Sequence, residues 1–560
     1  MPSALQGISE IPHICLEHGI THAVISSGSR NAPLILAFAS NTDFKCYSIV
    51  DERSAGYYAL GMAQQLKKPV VLVCTSGTAV ANYAPALAEA YYLNVPLVVL
   101  TADRPPEWID QNDGQTIRQF EIFRNYVKKS FQMPASTLEQ SDLWYFRRSL
   151  NEAVGLSTIV SPGPVHINLP IKEPLYDPLP VVDLPIKPIH TISGEMEIDT
   201  DSWQQISTRW REAKKRLVIC GFSNSNPKLQ SVLNQMSSNH DVVVFAENLS
   251  NLVGDGFIDT PDRFMASLST EQLEDFRPDL VVTIGGSIIS KRLKKYLRQY
   301  SPQEHWHIDE NDLFIDTFQS LNLNIRVKPE KFFSKIPKVG SSNIEYSQLV
   351  QNIKKQSKIR HDEFIKSADY SDLTAWSKVI DSLPSNINLH LANSTPVRYA
   401  QLFSTRDDIT YFSNRGTSGI DGCISTAAGA AAVTDKQNVL LIGDLAFLYD
   451  SNGLWNTNLP NNLCIIVMDN GGGNIFRVID SGPEVGKIQP FVEAPHQVKI
   501  KDICSSYSVN YLYANSLDSL GDALDQSFKP NSSAVVIHIE TSGSTSAETY
   551  KQYFKYLNNK

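Results

Sequence analysis

The chain alternates short, wholly apolar runs with segments of helical periodicity. Around residues 69–101, the apolar run PVVLVC is followed by TSGTAVANYAPALAEAYYLN and then by a second apolar run, VPLVVLTAD. Short apolar strands separated by one helical segment predict a βαβ unit, whose two strands are parallel. This pattern indicates an α/β fold.

The same alternation continues through the rest of the chain. The central region contains RLVICG, DVVVFAE and DLVVTIGG, and the C-terminal third contains NVLLIGD, NLCIIVMDN and AVVIHIE. Strands that are apolar on both faces are typical of sheets that helices cover on both sides. We therefore expect doubly wound parallel sheets in each region.

Two stretches interrupt the pattern and predict domain boundaries. Residues 171–190 hold five prolines, which exclude a helix or a central strand: Pro174, Pro178, Pro180, Pro185 and Pro188. Residues 327–342, VKPEKFFSKIPKVGSS, form a second candidate boundary. The sequence thus predicts three α/β domains, at 1–185, 186–340 and 341–560.

Charge and composition narrow the classes of partner. The formal net charge of −9 argues against nucleic acid or an anionic membrane as the main partner, although a locally basic cleft remains compatible with it. No apolar run reaches the roughly 18–20 residues that span a bilayer, and the start, MPSALQGISEIPHIC, lacks the basic and apolar regions of a signal peptide. Seven cysteines without a CxxC favour reduced thiols, so a cytoplasmic protein without integral membrane contact is expected.

The strongest chemical signal lies at residues 439–476. One apolar strand ends in Gly443-Asp444, and the next ends in Asp469-Asn470-Gly471-Gly472, so that Asp444 and Asn470 are 26 positions apart. Ligands bind at the carboxyl edge of open parallel sheets. Carboxylate, amide and backbone oxygens suit Mg²⁺, and the glycines would let a diphosphate approach the backbone. The alternative is a pair of ordinary strand-to-helix turns.

A second signal lies near the N-terminus. The string YSIVDERSAGYYALGMAQQL reads as a strand, an acidic turn and a helix, with Glu52 at the end of the strand. A partly buried carboxyl in this position has a raised pKa and can share a proton with a ligand. Taken alone, Glu52 is better explained as an acid that stabilises the start of a helix.

The spacing of Asp444 and Asn470 resembles the cofactor motif of the thiamine-diphosphate-dependent enzymes. In that family the Asp, the Asn and a backbone carbonyl two residues after the Asn hold Mg²⁺, and these positions match Asp444, Asn470 and Gly472. Leu445 stands where many relatives have a third-position Gly, and one subgroup accepts Leu there. The resemblance implies that the three domains are of the thiamine-diphosphate type: a pyrimidine-binding, a central Rossmann-like and a diphosphate-binding domain. The cofactors would be thiamine diphosphate and Mg²⁺, with Mn²⁺ as a substitute.

Longer strings are similar to one branch of this family, the synthases of 2-succinyl-5-enolpyruvyl-6-hydroxy-3-cyclohexene-1-carboxylate (SEPHCHC) in menaquinone biosynthesis. The strings are SGSR at 27–30, DER at 51–53, CTSGTAVANYAPALAEAYYLNVPLVVLTADRPPEWIDQNDGQTIRQ, and NRGTSGIDG at 414–422. They cover the first and third domains well and the middle domain only thinly. This resemblance changes the interpretation of Glu52: instead of an acid that only stabilises a helix, it would be the glutamate that hydrogen-bonds N1′ of the cofactor.

The resemblance also implies roles for other residues. Gln115 would lie near the reacting carbonyl, and Ile420 would support the bent cofactor, with Gly443 beside the diphosphate. Further positions match the substrate site: Ser29, Arg30, Arg104, Ser394, Arg398 and Arg415. Lys291 and Arg292 would add positive charge from the middle domain, unless they form a solvated basic helix face.

The implied reaction is decarboxylation of 2-oxoglutarate and Stetter-like conjugate addition of the resulting succinyl carbanion equivalent to isochorismate, by a homodimer or tetramer. Both substrates carry two carboxylates, and arginine offers bidentate contacts to such groups. Two alternatives stay open at this stage. One is another thiamine-diphosphate enzyme that decarboxylates or ligates 2-oxo acids, such as an acetohydroxyacid synthase or a simple 2-oxo acid decarboxylase. The other is a non-enzymatic nucleotide-binding module that uses TIGGS at 283–287, although no GxGxxG is present.

Overall fold

Three parallel sheets, joined in one chain, position the candidate functional residues. The computed structural model describes residues 3–159, 161–182, 184–311, 313–340, 344–478, 485–529 and 533–558. Every strand pair within these ranges is parallel, and helices flank each sheet. The predicted fold class, three doubly wound parallel α/β units, is confirmed.

The first sheet has six strands in the spatial order β2-β1-β3-β4-β6-β5. Its strands are β1 His22–Ile25, β2 Lys45–Ser48, β3 Val70–Cys74, β4 Leu97–Asp103, β5 Ser130–Gln132 and β6 Val165–Pro170. Its helices are α1 Gln6–Glu17, α2 Ala32–Ala39, α3 Glu52–Leu66, α4 Thr78–Asn82, α5 Ala84–Tyr92 and α6 Gln140–Thr158, with a short 3-10 helix at Pro106–Trp108.

The second sheet has five strands in the order β11-β10-β9-β7-β8. Its strands are β7 Arg216–Cys220, β8 Val243–Ala246, β9 Leu280–Ile284, β10 Glu304–Ile308 and β11 Leu323–Ile325. Its helices are α7 Thr200–Glu212, α8 Pro227–Ser238, α9 Pro261–Ala266, α10 Thr270–Asp275, α11 Lys291–Gln299 and α12 Pro329–Lys335, with a 3-10 helix at Asn248–Ser250.

The third sheet has six strands in the order β13-β12-β14-β15-β17-β16. Its strands are β12 Asn388–Leu391, β13 Thr410–Phe412, β14 Asn438–Gly443, β15 Leu463–Asp469, β16 Asn510–Ala514 and β17 Val535–Glu540. The helices before β15 are α13 Ile344–Ser367, α14 Asp372–Ser382, α15 Thr395–Ala400, α16 Cys423–Ala431 and α17 Asp444–Tyr449, with a 3-10 helix at Ser451–Leu454. Those after it are α18 Ile475–Val478, α19 Val485–Glu493, α20 Ile500–Ser506, α21 Leu517–Ser527 and α22 Gly543–Asn558.

Alternation along the strands explains why each sheet has two cores. In β3, Val70, Leu72 and Cys74 enter one core, and Val71 and Val73 enter another. Successive strand side chains point to opposite faces, so a strand that is apolar throughout needs a covering layer on both sides. The apolar runs of the sequence therefore predicted the layered architecture correctly.

The first and third sheets share one core, in which α3 packs against α16. A Cβ added at Gly61 of α3 would lie 1.9 Å from the carbonyl oxygen of Thr426, and one added at Gly429 of α16 would lie 2.0 Å from that of Tyr58. Side chains at these glycines would meet backbone atoms, which cannot move aside as a flexible side chain can. The two glycines thus allow a close helix crossing that fixes the first domain against the third.

The first linker prediction is compatible with this layout, whereas the second stretch, 327–342, contains helix α12, whose Phe332 and Phe333 are buried in the core of the middle domain. No helix or strand lies between Pro170 and Thr200 among the residues that the structure describes. The exact domain boundaries near residues 185 and 340 stay predictions. Within the described ranges, no helix is long and apolar enough to cross a membrane.

Candidate active site

Asp444 and Asn470 stand at the carboxyl ends of neighbouring strands. Gly443 at the end of β14 pairs with Met468 near the end of β15, so the residues that follow the two strands share one edge of the third sheet. The Asp444 carboxylate accepts hydrogen bonds from the backbone amides of Gly472 and Leu445, each 2.7 Å long. The sequence motif is therefore assembled in space as its spacing suggested.

Asn470 presents a buried side-chain oxygen towards the sheet edge. Its Nδ2 donates to Oδ2 of Asp372 at 2.8 Å, whereas its Oδ1 is buried and has no hydrogen-bond partner among the residues that the structure describes. A carboxylate only accepts hydrogen bonds, so Asp372 fixes which end of the Asn470 amide faces it. A buried, unpaired oxygen is costly. Here its position fits a metal ligand.

The surroundings of Asp444 are rich in groups that bind cations. The ligand atoms of Asp444, Asp469 and His496 lie within 4.8 Å of one another. Burial raises the pKa of the Asp444 carboxyl, and the nearby Asp469 carboxylate raises it further. A divalent cation would offset this repulsion, and oxygen donors of this type are those that Mg²⁺ prefers.

The glycines of the same two loops fit the approach of a diphosphate. A Cβ added at Gly443 would meet no atom of the described residues within 4 Å, so the backbone there is open to a ligand as far as the structure describes it. Gly472 has φ +141°, and an added Cβ would come within 2.5 Å of the Glu493 carbonyl oxygen. Only glycine accommodates both the positive φ and the close approach of this carbonyl at position 472. The expected Mg²⁺ contact of the Gly472 carbonyl stays a prediction.

Glu52 begins α3 in a half-buried position within the first domain. Asp51 caps this helix by accepting a 3.2 Å hydrogen bond from the Ser54 amide, so the helix start does not depend on Glu52. Burial raises the pKa of Glu52 above its usual value, while hydrogen bonds from its own amide and from Asn82 oppose the shift. A carboxyl whose pKa is raised is suited to sharing a proton with a ligand.

The residues on either side of Glu52 contact the third domain. Asp51 accepts a 2.7 Å hydrogen bond from Nδ2 of Asn452, and Arg53 donates a 2.9 Å hydrogen bond to the Tyr449 carbonyl. The Arg53 guanidinium also lies 4.9 Å from the centre of the Tyr449 ring. The start of α3 is therefore fixed from outside its own domain.

Arg30 and Arg104 line one cleft of about 300 Å³ in the first domain. Arg30 is buried, donates to the Ile171 carbonyl at 2.9 Å and lies 3.2 Å from Glu173. Arg104 lies 3.9 Å from the same Glu173 carboxylate and 3.3 Å from Asp113. Two arginines that share one largely exposed glutamate can accept another carboxylate.

Three predicted site residues lie in loops of the first and third domains. Ser29 is exposed in the loop before α2, and Gln115 is exposed with φ +54°. Ser394, just before α15, has φ +76°. Left-handed backbone is uncommon for residues other than glycine and concentrates at functional sites. Its occurrence at Gln115 and Ser394 fits a site there.

Arg398 and Arg415 belong to a basic cluster between the second and third domains. Burial lowers the pKa of Arg415, and the nearby Arg398 lowers it further. The Arg415 Nε is buried and has no hydrogen-bond partner within the described part of the chain, while its Nη1 donates to Asn393 at 2.9 Å. Desolvated cations that repel one another favour binding of an anion. Arg398 lines a small cavity with Asn474 and Ile475, in the loop that also carries Asn470.

The middle domain adds two lysines to this cluster. Repulsion from Arg398 lowers the pKa of Lys291. Burial lowers the pKa of Lys294, which lies near both arginines and was not predicted from the sequence. The Arg292 guanidinium stacks 4.1 Å from the Phe554 ring centre. It also lies near Tyr550, which lines the same small cavity as Arg398: burial raises the pKa of that hydroxyl, and Arg292 opposes this rise. The role of Arg292 in the site stays a prediction.

The middle domain does not offer a nucleotide site at its topological switch point. A Cβ on Gly221, after β7, would lie 2.3 Å from the Gly286 carbonyl oxygen, after β9, so these loops close on each other. The buried Glu247 accepts hydrogen bonds from the Ile289 and Ser290 amides at 2.6 and 2.7 Å, at the start of α11. Its carboxylate takes the place that a phosphate needs at a helix N-terminus.

Family models and relatives agree with this geometry. Residues 9–122 match the family described as "Thiamine pyrophosphate enzyme, N-terminal TPP binding domain", and residues 197–391 match "Middle domain of thiamine pyrophosphate". A 2-succinyl-5-enolpyruvyl-6-hydroxy-3-cyclohexene-1-carboxylate synthase of Flavobacterium psychrophilum is 40% identical over 548 residues, which is 98% of each chain. The chain belongs to this synthase family. Synthases of the same name from Desulfotalea psychrophila and Bacteroides fragilis are 40% and 38% identical, covering 91% and 100% of this chain and 93% and 100% of theirs.

Membership in the synthase family confirms several predictions. The chain is a thiamine-diphosphate-dependent enzyme, and a divalent metal accompanies the cofactor as is usual in this family. The alternatives of a nucleotide-binding module and of another type of carboligase are not supported. The roles assigned to single residues stay predictions, which the geometry above makes testable.

Proposed function

We propose that this protein joins 2-oxoglutarate and isochorismate, with loss of CO₂, to form SEPHCHC in menaquinone biosynthesis. The observation that carries the proposal is similarity over nearly the whole chain to synthases that bear this product's name. When bound, thiamine diphosphate supplies the carbon nucleophile and the electron sink for decarboxylation. The protein supplies orientation, charge and exclusion of water.

The proposed cofactor contacts lie at the edge of the third sheet. Asp444 and Asn470, with the Gly472 carbonyl, hold Mg²⁺ against the diphosphate beside Gly443. Asp372 orients Asn470, and outer contacts of this kind tune metal ligands. Ile420 supports the cofactor from the 414–422 loop.

Glu52 holds and returns one proton at N1′ of the aminopyrimidine. Its raised pKa lets the carboxyl and the ring nitrogen share that proton, because their proton affinities are brought closer together. Gln115 lies beside the reacting carbonyl and orients it.

The cations divide two dianions between them. Arg30 and Arg104, with Ser29, form the wall that holds isochorismate. Arg398, with Ser394 and Lys291, holds the distal carboxylate of the 2-oxoglutarate-derived group, and Arg415 is shared. Support comes from two separate groups of cations. Arg30 and Arg104 share the first-domain cleft with the carboxylates of Glu107, Asp113 and Glu173. The second group lies between the second and third domains.

The protein acts as a homodimer or a higher assembly in the cytoplasm. Cys74, Asn82 and Tyr83, the groups close to the Glu52 carboxyl, all belong to the first domain, whereas Asp444 is held by third-domain residues. A second copy would bring its Glu52 to this chain's diphosphate site. All seven cysteines are free thiols, and Cys46 alone is exposed, which supports a reducing compartment.

Product analysis with competing donors tests the proposal. The purified protein with thiamine diphosphate, Mg²⁺ and isochorismate receives either 2-oxoglutarate or pyruvate, and products are identified by mass. We expect SEPHCHC from 2-oxoglutarate and little product from pyruvate. Preferential use of pyruvate would instead indicate an acetohydroxyacid synthase type of reaction.

A further inference from the structure

We propose that Glu89 is a positioning residue for the substrate site, because it holds the 414–422 loop that carries Arg415 and Ile420. This inference deepens the proposed function and rests on it for the role of Arg415. Glu89 lies on α5 of the first domain, far in sequence from the loop that it contacts.

The carboxylate of Glu89 is fully engaged by the loop. Its Oε1 accepts a 2.7 Å hydrogen bond from the Gly416 amide, and its Oε2 accepts from the amide and the hydroxyl of Thr417 at 2.7 and 2.6 Å. Glu89 itself is completely buried. Hydrogen bonds to an ionised acceptor are about twice as strong as neutral ones, so this contact fixes the loop backbone next to Arg415.

Close packing leaves the loop little freedom at this point. A Cβ added at Gly416 would lie 2.6 Å from the Glu89 carbonyl oxygen and 3.1 Å from its Oε1. At the far end of the loop, the Tyr57 hydroxyl donates to Asp421 at 2.6 Å. First-domain residues thus hold the loop at both ends.

The third domain completes the fixation from the other side. Nδ2 of Asn393 donates to the carbonyls of Asn414 and Gly419 at 2.7 and 2.6 Å, and its Oδ1 accepts from Arg415. Arg415 is therefore bonded directly to a residue that braces its own loop. If Glu89 released the loop, the guanidinium would lose the geometry that Asn393 gives it.

Glu89 also supplies charge. Its carboxylate favours the charged form of Arg415, against the burial and the Arg398 repulsion that lower the pKa of that guanidinium. Neutralising Glu89 would remove a negative charge behind Arg415 as well as one hydrogen-bond acceptor. Both effects would reach the substrate through Arg415, because Glu89 itself does not contact the reacting atoms.

The test compares Glu89→Gln with Glu10→Gln. Gln has one oxygen, so its amide nitrogen would face a backbone N–H and at least one bond would be lost. Glu10 is a matched control, since it is buried in the same domain but pairs with Arg147 at 2.6 Å, away from the 414–422 loop. Thr417→Val is a milder variant, because it removes one of the three bonds from the loop side.

Hydrogen exchange of the unliganded proteins gives a readout that does not depend on activity. We expect Glu89→Gln to speed exchange in peptides covering 414–422, Thr417→Val to do so less, and Glu10→Gln to leave this segment unchanged. Equal exchange in wild type and Glu89→Gln, or an increase that Glu10→Gln shares, would overturn the proposal.

Kinetics at saturating thiamine diphosphate give the second readout. We expect Glu89→Gln to lower kcat/KM about tenfold, chiefly through a higher KM for the anionic substrates, with Glu10→Gln near wild type. Unchanged kcat/KM with a loosened loop would also overturn the positioning role. If the wild-type protein does not turn over these substrates, the proposed function fails, and the exchange data still decide whether Glu89 holds the loop.

Discussion

Among single residues, Glu52 and the arginines have the chemical roles that substitutions can test most directly. The Asp51 side chain already caps α3, so the start of this helix does not depend on Glu52, whose half-buried carboxyl has a raised pKa. A carboxyl in this state is poised for proton sharing. Its function is therefore separable from its contribution to folding.

We predict that Glu52→Gln folds normally and loses most hydrogen exchange at C2 of bound thiamine diphosphate. The amide fills the same space but cannot share the N1′ proton, so at least a hundredfold loss is expected, in the range of general acid–base contributions of about 10²–10⁴. NMR of the quenched cofactor measures the exchange. Glu17→Gln, at the exposed end of α1, is the control, and wild-type exchange in Glu52→Gln would remove Glu52 from the mechanism.

We predict that Arg104→Ala impairs use of isochorismate and spares decarboxylation of 2-oxoglutarate without acceptor, whereas Arg398→Ala impairs both. Arg30→Ala should behave like Arg104→Ala. Loss of a charge-assisted contact costs about 1.5–3 kcal/mol, or roughly ten- to a hundredfold in kcat/KM. Initial rates with and without isochorismate measure the effect.

The control for the arginines is Arg118→Ala, which removes an exposed side chain that pairs with Asp110 at 2.8 Å. It should leave both rates unchanged. Equal losses for the two substrates in all the site variants would show that the arginines do not bind the two substrates separately.

At the scale of elements, the crossing of α3 and α16 holds the first domain against the third. We predict that Gly429→Ala destabilises the protein by about 1–3 kcal/mol or more, since overpacking at a rigid contact is not relieved by rotation. The added Cβ would lie 2.0 Å from a backbone oxygen. Thermal denaturation measures the change.

A second glycine offers a matched control for that crossing. Gly155 lies inside α6, and the nearest atoms to an added Cβ are 3.9 and 4.0 Å away. Gly155→Ala should be neutral or stabilise by up to about 1 kcal/mol, since alanine favours helix. A Gly429→Ala protein as stable as Gly155→Ala would contradict the close crossing.

The elements also show what the sequence could predict. Apolar runs identify strands, and chain order places Asp444 and Asn470 after two of them, so their meeting at one sheet edge follows from βαβ geometry. Glu89 and Asp372 could not be found this way. Glu89 binds Gly416, 327 positions away, and Asp372 binds Asn470, 98 positions away. Nothing in the local sequence of either buried carboxylate distinguishes it from an ordinary acidic residue of a helix.

Lys294 and Glu247 were missed for the same reason. Lys294 belongs to a run of basic residues that is typical of a solvated helix face, and only its proximity to Arg398 and Arg415 places it beside the site. Glu247 follows a buried strand and is explained only by the amides of Ile289 and Ser290, just before α11. Tertiary contacts, not periodicity, create these environments.

At the scale of the whole molecule, the first and third sheets follow the same order of strands, counted from the first strand of each. This likeness is one of topology. The shared core places these two domains side by side within one chain. In the proposed dimer, the first domain of one chain would also face the third domain of the second chain.

We predict that mixing two inactive variants restores activity. Glu52→Gln and Asp444→Ala chains, expressed together with different tags, should give mixed dimers with one intact site, because the intact Glu52 and the intact Asp444 come from different chains. About half of the wild-type activity per mixed dimer is expected on this symmetry argument. Failure to complement, with the mixed dimer purified and folded, would place both residues of a site in one chain.

The central claim is that decarboxylation of 2-oxoglutarate is coupled to consumption of isochorismate. The most direct measurement is release of labelled CO₂ from 1-labelled 2-oxoglutarate, with and without isochorismate, thiamine diphosphate and Mg²⁺. We expect one CO₂ for each isochorismate consumed, and no rapid release when either cofactor is withheld. Equal CO₂ release with and without isochorismate, which then remains unconsumed, would contradict it.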